Sequence, residues 1–113
     1  MHGIVFNTGG GQTKCLRVGN GIHYVKDSLP SAPDIFHMIQ KHGNVEWKEM
    51  CEDFNMGVGS DVIVAKGAAD EVVRFCEDEF HIGARRTGIC KYSSGGNKVT
   101  VETNFGTFTY NKS

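Results

Sequence analysis

The sequence predicts an α+β domain in which a mixed, largely antiparallel sheet packs with helices. Three observations support this fold class. Short apolar runs at residues 3–6 and 62–64 adjoin glycine clusters, residues 69–80 have the apolar repeat of an amphipathic helix, and the segments beyond residue 97 alternate between apolar and polar side chains. With 113 residues, the chain has the length of one domain with its own core.

The first part of the chain predicts two strands separated by a turn. Residues 2–7 are mostly apolar and predict a strand that is buried on both faces. Residues 12–18 predict a short helical turn, which the glycines at residues 19–21 end. Residues 22–25 then predict a second strand, which stops before Pro30.

Two short helices are predicted next, joined by a corner at Gly43 and Asn44. Ser31 and Pro33 have the arrangement of a helix start, with a hydroxyl cap followed by a proline in the first turn. The second helix is predicted to begin at Asn44. Its apolar stripe has the spacing i, i+3, i+4 and i+7 and consists of Trp47, Met50, Cys51 and Phe54.

The second half of the chain predicts a strand, a helix and three further strands. Residues 55–65 predict a glycine loop that continues into a strand, and the helix after Gly67 has acidic residues in its first turn. The buried face of that helix is predicted to consist of Ala69, Val72, Val73, Cys76 and Phe80. The last three strands, at residues 81–92, 98–102 and 107–110, are expected to form an antiparallel meander.

The composition limits the classes of partner. The formal net charge is −1, so the molecule offers no positive field for nucleic acid or a membrane surface, and no apolar stretch approaches the roughly 20 residues of a membrane span. The four cysteines lack the C-x-x-C spacing, which favours reduced thiols in a cytoplasmic protein. The five histidines lack metal-ligand spacing, and we predict neither a metal site nor a catalytic residue.

The first glycine loop follows the first predicted strand and consists of Thr8, Gly9, Gly10 and Gly11. Because glycine has no Cβ, successive N–H groups can curl into a concave nest that suits an oxyanion, phosphate above all. Lys14 and Arg17, in the helical turn that follows, are placed to approach such an anion. The alternative is a tight strand-to-helix turn with two exposed basic side chains, and the Walker pattern is absent.

The second glycine loop, residues 54–59, has the sequence Phe-Asn-Met-Gly-Val-Gly and precedes an apolar run. Asn55, Gly57 and Gly59 either admit a ligand or a neighbouring backbone at close range or only form a bulge. Asp61 is expected on the surface, with pairing to a cation as the alternative. We expect the fold to bring the two glycine loops near each other.

Three stretches together resemble the C-terminal domain of aminoimidazole ribonucleotide synthetase, also called phosphoribosylformylglycinamidine cyclo-ligase: residues 2–11, 33–36 and 49–59. The T-G-G-G and E-M-x-x-x-F-N-M-G-V-G motifs occur in the family's order, and the resemblance covers roughly residues 2–92. It implies that residues 1–113 form a single domain like that C-terminal domain, without the N-terminal ATP-binding domain and without the start of the C-terminal domain.

The chain also departs from the family's pattern. Phe6 stands where many members carry a histidine before the T-G-G-G motif, and Ser60-Asp61 stands where an apolar residue normally follows the second motif. The family's G-P-H-S-N-G-Y segment, with the histidine to which a catalytic role is commonly assigned, is absent from residues 1–113.

The resemblance implies a step of purine biosynthesis. In the family, ATP phosphorylates the formyl-amide oxygen of formylglycinamidine ribonucleotide, and an internal nitrogen then closes the imidazole ring. ATP and Mg²⁺ are bound mainly by the N-terminal domain, and the family is usually dimeric. The chain is expected to supply the substrate-phosphate side of this site through Thr8, Gly9, Gly10, Gly11, Lys14, Arg17, Asn55, Gly57 and Gly59.

The resemblance also sets expectations about partners. Without the ATP-binding half, we expect the chain alone to be inactive, to form a homodimer, and to require a separate N-terminal ATP-binding subunit for activity. The alternative is a non-catalytic binding or regulatory module that retains the fold. A third interpretation is another member of the same ATP-binding superfamily, such as formylglycinamidine ribonucleotide synthetase, selenophosphate synthetase or thiamine monophosphate kinase, but the F-N-M-G-V-G run favours the cyclo-ligase.

Overall fold

The structure is a computed structural model that describes residues 2–112. The strands are β1 (Gly3–Phe6), β2 (Ile22–Lys26), β3 (Ser60–Ile63), β4 (Ile89–Tyr92), β5 (Lys98–Thr103) and β6 (Gly106–Asn111). The α-helices are α1 (Asp34–Gly43), α2 (Trp47–Asp53) and α3 (Ala69–Phe80). Two 3₁₀ segments, Gly11–Arg17 and Lys66–Ala68, precede β2 and α3.

The strands form two sheets. β1 and β3 pair antiparallel in a two-stranded sheet, with Phe6 opposite Ser60. The four-stranded sheet has the order β4-β2-β5-β6, in which β2 is antiparallel to β4 and parallel to β5, and β5 and β6 pair antiparallel. The predicted α+β fold class, with mixed and largely antiparallel strands, is confirmed.

The predicted meander of the last three strands is wrong, because β2 lies between β4 and β5. The side chain of Asn97, just before β5, explains this order. Its Oδ1 accepts a hydrogen bond from the N–H of Ile22 at 2.9 Å, and its Nδ2 donates to carbonyl oxygens of the segment before β2 at 2.8 to 3.1 Å. An amide side chain can satisfy both sides of a buried junction in this way, so β5 is held beside β2.

The core lies between the inner face of the four-stranded sheet and α2. Val99 and Val101 of β5 are fully buried, as the alternation of that strand predicts. Met50 and Cys51 of α2 belong to the same buried cluster, in which the 3₁₀ segment Gly11–Arg17 contacts both α2 and β5. Their burial confirms the inward direction of the predicted stripe. The hydroxyl of Tyr110 donates to the main-chain oxygen of Lys48 and so ties β6 to α2.

Two predicted buried faces are wrong. In β1 only Val5 is buried, whereas Ile4 and Phe6 are 45% and 65% exposed, because the two-stranded sheet is covered on one side only. Helix α3 buries no residue completely: Phe80 is exposed, and the rest of its predicted face is half-buried. The helix packs chiefly against the 3₁₀ turn Lys66–Ala68 and adds no residue to the core.

Several predicted element ends also move. No side chain caps α1, whose N-cap position is Pro33 rather than Ser31. Helix α2 begins at Trp47 rather than Asn44, because Asn44 has the left-handed backbone that ends α1 (φ 51°).

The strand predicted over residues 81–92 is confined to β4. Gly88 passes β2 so closely that a Cβ would overlap the carbonyl oxygen of Val25. Because β2 itself ends at Lys26, residues 81–88 find no neighbouring strand in the part of the chain that the structure describes.

Candidate functional site

The structure brings the two glycine loops together at one end of the two-stranded sheet. β1 leads into the first loop, and the second loop leads into β3, so antiparallel pairing sets the two loops side by side. The N–H of Asn7 donates to the carbonyl oxygen of Gly59 at 2.9 Å, which continues the pairing of the two strands into the loops.

The backbone of the first glycine loop has some features of an anion-binding nest. Gly9 and Gly11 have left-handed backbones, with φ of 81° and 55°. The N–H of Gly11 already donates to the carbonyl oxygen of Asn7 at 3.0 Å. Within residues 2–112, the amides of Thr8, Gly9 and Gly10 donate to no other backbone group, so any anion site in this loop would depend on these three.

Gly11 is also where the first loop meets helix α2. A Cβ at this position would lie 2.7 Å from the carbonyl oxygens of Glu52 and Phe54, at the C-terminal end of the helix. Glycine is therefore required there both by the backbone angle and by the close approach. A Cβ at Gly9, in contrast, would lie in open space, so the tip of the loop is accessible.

Two basic side chains follow the first loop on the 3₁₀ segment Gly11–Arg17. Lys14 and Arg17 are three residues apart and therefore lie on the same side of a 3₁₀ helix. The Nζ of Lys14 donates to the carbonyl oxygen of Thr8 at 2.9 Å, and its stem covers Gly10. Arg17 is exposed and lines a shallow cavity of about 520 Å³ next to Tyr110. The ammonium group thus lies at the loop, and the guanidinium lies one turn beyond it.

The second glycine loop is folded by its own side chains. The Oδ1 of Asn55 accepts a hydrogen bond from the N–H of Gly57 at 2.8 Å, which is an Asx turn. Gly57 has φ 93°, and a Cβ there would lie 2.6 Å from the Cδ of Pro33. This glycine admits a neighbouring part of the chain at close range, whereas Gly59 faces open space.

A buried polar cluster, which the sequence did not predict, joins the two loops. We use the name polar cluster for Asn7, Gln12, Lys26 and Asp61. The Nζ of Lys26 donates to the Oδ2 of Asp61 at 2.9 Å, to the Oε1 of Gln12 at 2.7 Å and to the main-chain oxygen of Gln12 at 3.0 Å. Lys26 is 5% exposed and the Asp61 side chain 14%, so the expected surface position of Asp61 is wrong and the alternative, pairing with a cation, is correct.

The polar cluster reaches both glycine loops through its amide side chains. The Nε2 of Gln12 donates to the main-chain oxygen of Asn55 at 2.7 Å. The Nδ2 of Asn7 donates to the main-chain oxygen of Val58 at 3.0 Å and lies 3.4 Å from the Oδ2 of Asp61. Asn7 and Gln12 are 1% and 0% exposed, so these contacts are shielded from water.

Strand alternation is the signal that could have revealed this cluster. In β2, Tyr24 and Lys26 are two residues apart and therefore share a face, and Tyr24 is buried. Asp61 lies opposite the buried Val5 in the register of β1 and β3. A charged residue on the inner side of each sheet points to an ion pair between them.

The titratable groups around the polar cluster are kept neutral. Burial raises the pKa of the Cys15 thiol to about 11, against the opposing effect of the nearby Lys26 charge. Burial likewise raises the pKa of Tyr24 to about 12. Cys15 therefore remains a thiol at neutral pH and is not a nucleophile. The arrangement offers main-chain N–H donors and the ammonium group of Lys14, which are the kinds of group that an anion site requires.

Residues 2–112 contain no group of three or more His, Cys, Asp or Glu side chains placed to hold a metal ion. No helix in the same range is long and apolar enough to cross a bilayer. All four cysteines are free thiols, of which Cys15 and Cys51 are buried.

Comparison with known proteins gives one consistent result. No family model matches the chain. Curated relatives named phosphoribosylformylglycinamidine cyclo-ligase do match it. The protein of Methanococcus vannielii is 44% identical over 73 residues, or 65% of this chain and 21% of the relative. That of Methanothermobacter thermautotrophicus is 38% identical over 81 residues, or 72% of this chain and 24% of the relative. That of Methanocaldococcus jannaschii is 35% identical over 101 residues, or 88% of this chain and 29% of the relative.

The chain thus spans less than a third of the length of the relatives it matches, and the matched part is their C-terminal region. Several of these relatives have the same name and cover most of this chain, so the resemblance that the two glycine motifs indicate is confirmed. The chain is a homologue of the C-terminal region of phosphoribosylformylglycinamidine cyclo-ligases.

Proposed function

We propose that the chain supplies the substrate-phosphate side of an ATP-dependent imidazole-ring closure in purine biosynthesis. The observation that carries this proposal is the juxtaposition of two glycine loops in a chain homologous to cyclo-ligases. The loops lie at the end of the two-stranded sheet, where unengaged amides and an ammonium group are grouped. The ligand is a phosphorylated purine-pathway intermediate.

The phosphate is bound from two sides. The amides of Thr8, Gly9 and Gly10 donate to its oxygens, and Lys14 turns from the carbonyl oxygen of Thr8 to add a charge-assisted hydrogen bond. Gly11 contributes by its shape, because its own amide is engaged within the loop. Arg17 extends the positive surface one turn further, and Asn55, Gly57 and Gly59 form the facing wall.

Activation of the substrate by ATP takes place on a partner subunit. ATP with Mg²⁺ converts a poor leaving oxygen into a good one, and both are bound mainly by an N-terminal ATP-binding subunit. The present chain holds the phosphate of the substrate, which fixes the substrate relative to the reacting atoms and raises their effective concentration. The chain alone is inactive, and release of ADP by the purified chain with formylglycinamidine ribonucleotide and ATP would contradict this.

Isothermal titration calorimetry with ribose 5-phosphate tests the phosphate site. We expect saturable binding, and we expect Lys14→Gln to weaken it by about tenfold or more, because a hydrogen bond to a charged group is worth about 1.5–3 kcal/mol. Lys91→Gln is the matched control, since Lys91 is an exposed lysine on β4, outside both glycine loops. Absence of binding at millimolar ligand, or equal affinity for Lys14→Gln and the wild type, would remove the basis of the proposal.

We further propose that the chain forms a homodimer through the outer face of the two-stranded sheet. The accessible surface of the chain is 7333 Å², whereas a folded monomer of 12.4 kDa is expected to expose about 6,100 Å². The excess exceeds the roughly 800 Å² that each partner buries in a standard interface. Ile4, Phe6 and Val62 are exposed on this face, and β1 has no charge to prevent pairing of its free edge with a second copy.

Sedimentation velocity decides between dimer and monomer. We expect a dimer at micromolar concentration, and we expect Phe6→Lys to dissociate it while Phe105→Lys, at another exposed phenylalanine, does not. A wild-type monomer throughout the micromolar range would contradict the dimer.

The alternative function is a non-catalytic binding or regulatory module that retains the fold. The observation that favours it is Phe6, whose side chain is 65% exposed on the outer face of the two-stranded sheet, where the resemblance leads one to expect a histidine. Self-association without any binding of ribose 5-phosphate would support this alternative over the first proposal.

A further inference from the structure

The polar cluster is the main side-chain connection between the two glycine loops. Gln12 follows the first loop directly and bonds to the main chain of Asn55, at the start of the second. Asn7 precedes the first loop and bonds to the main chain of Val58. Lys26 contacts Gln12 directly, and it reaches Asn7 through the carboxylate of Asp61. The side chains of Gln12 and Asn7 therefore link the loops directly, and the Lys26–Asp61 ion pair contacts both of them.

Stability alone is a weak reason for this arrangement. Removing a lysine and a carboxylate from water costs several kcal/mol for each ion, and well-packed apolar residues often replace a buried ion pair without loss. The Oδ1 of Asn7 is also buried and has no hydrogen-bond donor among the residues that the structure describes. Tight apolar packing would hold two strands together equally well.

The ion pair differs from apolar packing in its directionality. The ammonium of Lys26 has three donors, and it has an acceptor for each of them at 2.7 to 3.0 Å. Two of these acceptors belong to Gln12, so the backbone as well as the side chain of the residue after the first loop is located. Such contacts fix distances to within tenths of an ångström, which apolar contacts do not.

We propose that Lys26 and Asp61 are positioning residues that hold the two glycine loops at the separation needed to bind the substrate phosphate. This inference rests on the proposed function. The ion pair does not touch the phosphate. It acts through Gln12 and Asn7, and neither partner is among the predicted site residues.

The test removes the ion pair without leaving a buried charge. In the variant Lys26→Met/Asp61→Leu, both charged groups become apolar residues of similar size, so the fold is retained. We measure amide hydrogen exchange at Gly11 and Gly57, whose N–H groups donate within the two loops, and at the β5–β6 pair as an internal reference. We expect exchange at both glycines to rise by about tenfold or more, and exchange in β5–β6 to stay within about twofold of the wild type.

A matched control separates positioning from stability. Val99→Ala makes a cavity in the buried core under the four-stranded sheet and lowers overall stability. It is expected to raise exchange throughout the molecule without favouring the loops. If the double variant behaves like Val99→Ala, or leaves exchange in the loops unchanged, Lys26 and Asp61 do not position them and the inference is wrong. If the double variant fails to fold, Lys26→Gln/Asp61→Asn removes both charges while keeping polar side chains at the two positions, and it is judged by the same comparison.

Ligand binding tests the inference separately from the proposed function. With ribose 5-phosphate as the probe, we expect the double variant to bind about tenfold more weakly than the wild type, which corresponds to about 1.4 kcal/mol. Faster exchange in the loops with unchanged affinity would overturn the link between positioning and phosphate. If the wild type binds no ribose 5-phosphate, the proposed function fails, and the exchange data still decide whether the ion pair positions the loops.

Discussion

The two sheets of this molecule are held in place by different kinds of contact. The four-stranded sheet lies on an apolar interior in which Val99, Val101 and Met50 are completely buried. The two-stranded sheet contributes one buried apolar side chain, Val5, and is attached through hydrogen bonds of the polar cluster. Its opposite face exposes apolar side chains.

This difference separates the source of stability from the place of the proposed function. Burial of apolar surface stabilises the four-stranded sheet and tolerates small shifts of the backbone. The polar cluster gains less free energy, because the hydrogen bonds replace bonds to water, but it requires defined distances. The loops of the proposed phosphate site lie at the end of the two-stranded sheet.

The largest expected effect concerns the apolar interior. Met50→Ala empties a fully buried position on α2 and is expected to lower the free energy of unfolding by about 2–5 kcal/mol. Met38→Ala, at a position 54% exposed on α1, is expected to change it by no more than about 0.5 kcal/mol. Urea denaturation of both variants measures the difference. Equal effects would mean that the helices do not cover the four-stranded sheet as described.

The next effect concerns the junction between the first glycine loop and α2. Gly9→Ala and Gly11→Ala both introduce a Cβ at a left-handed backbone, which costs about 1–2 kcal/mol. Only Gly11→Ala also drives the Cβ against two carbonyl oxygens, for which we expect a further loss of about 1–3 kcal/mol. The difference in thermal stability between the two variants measures the cost of the contact between the Cβ at position 11 and the carbonyl oxygens. A Gly9→Ala variant as unstable as Gly11→Ala would show that the contact with α2 is unimportant.

A smaller effect compares thiols in the two regions. Cys15 is 1% exposed with a pKa raised to about 11 by burial, whereas Cys90 on β4 is exposed. Burial raises the pKa of Cys90 as well, but less than that of Cys15. At pH 8 we expect a disulfide reagent to modify Cys90 at least about a hundredfold faster than Cys15, because Cys90 is accessible and has the larger thiolate fraction. Single-cysteine variants followed by absorbance give the rates. Comparable rates would mean that the segment around Cys15 opens readily and that the polar cluster does not seal it.

The smallest effect lies on the outer face of the four-stranded sheet. Partial burial, assisted by the charges of Lys98 and Lys91, lowers the pKa of His23 below its usual 6.5. The folded state therefore binds fewer protons than the unfolded state just below that pH, so this contribution to stability is present above pH 6.5 and declines as the pH falls toward the lowered pKa. His23→Gln should flatten the change in Tm between pH 7 and 5. A variant with an unchanged pH dependence would assign the effect to other groups.

Local patterns predicted the parts of the fold that depend on neighbours in sequence. The stripe of α2 correctly indicated which side of that helix faces the core, and alternation in β5 and β6 did the same for Val99, Val101 and Tyr110. The first glycine loop and the 3₁₀ segment after it also follow from local signals. The expectation that the two loops lie near each other came from the strands that adjoin them, and the structure shows the loops side by side.

The failures come from contacts between distant parts of the chain. The parallel pairing of β2 with β5 depends on Asn97, and no local pattern reveals its partners. The apolar repeat of α3 shows which face is apolar but not whether anything covers it. Burial of Lys26 and Asp61 was missed because each charge was judged alone, although the two strands place them on facing inner sides.

The hydrogen bonds of Asn97 have a consequence for the folding of the protein during its synthesis. They connect residues 75 to 81 positions apart, and β2 has β5 as its parallel neighbour on that side. Closing so long a loop slows folding. During synthesis, β2 cannot complete its pairing until β5 has also left the ribosome. In that interval β2 has an unpaired edge, and an unpaired edge strand is a site at which chains aggregate.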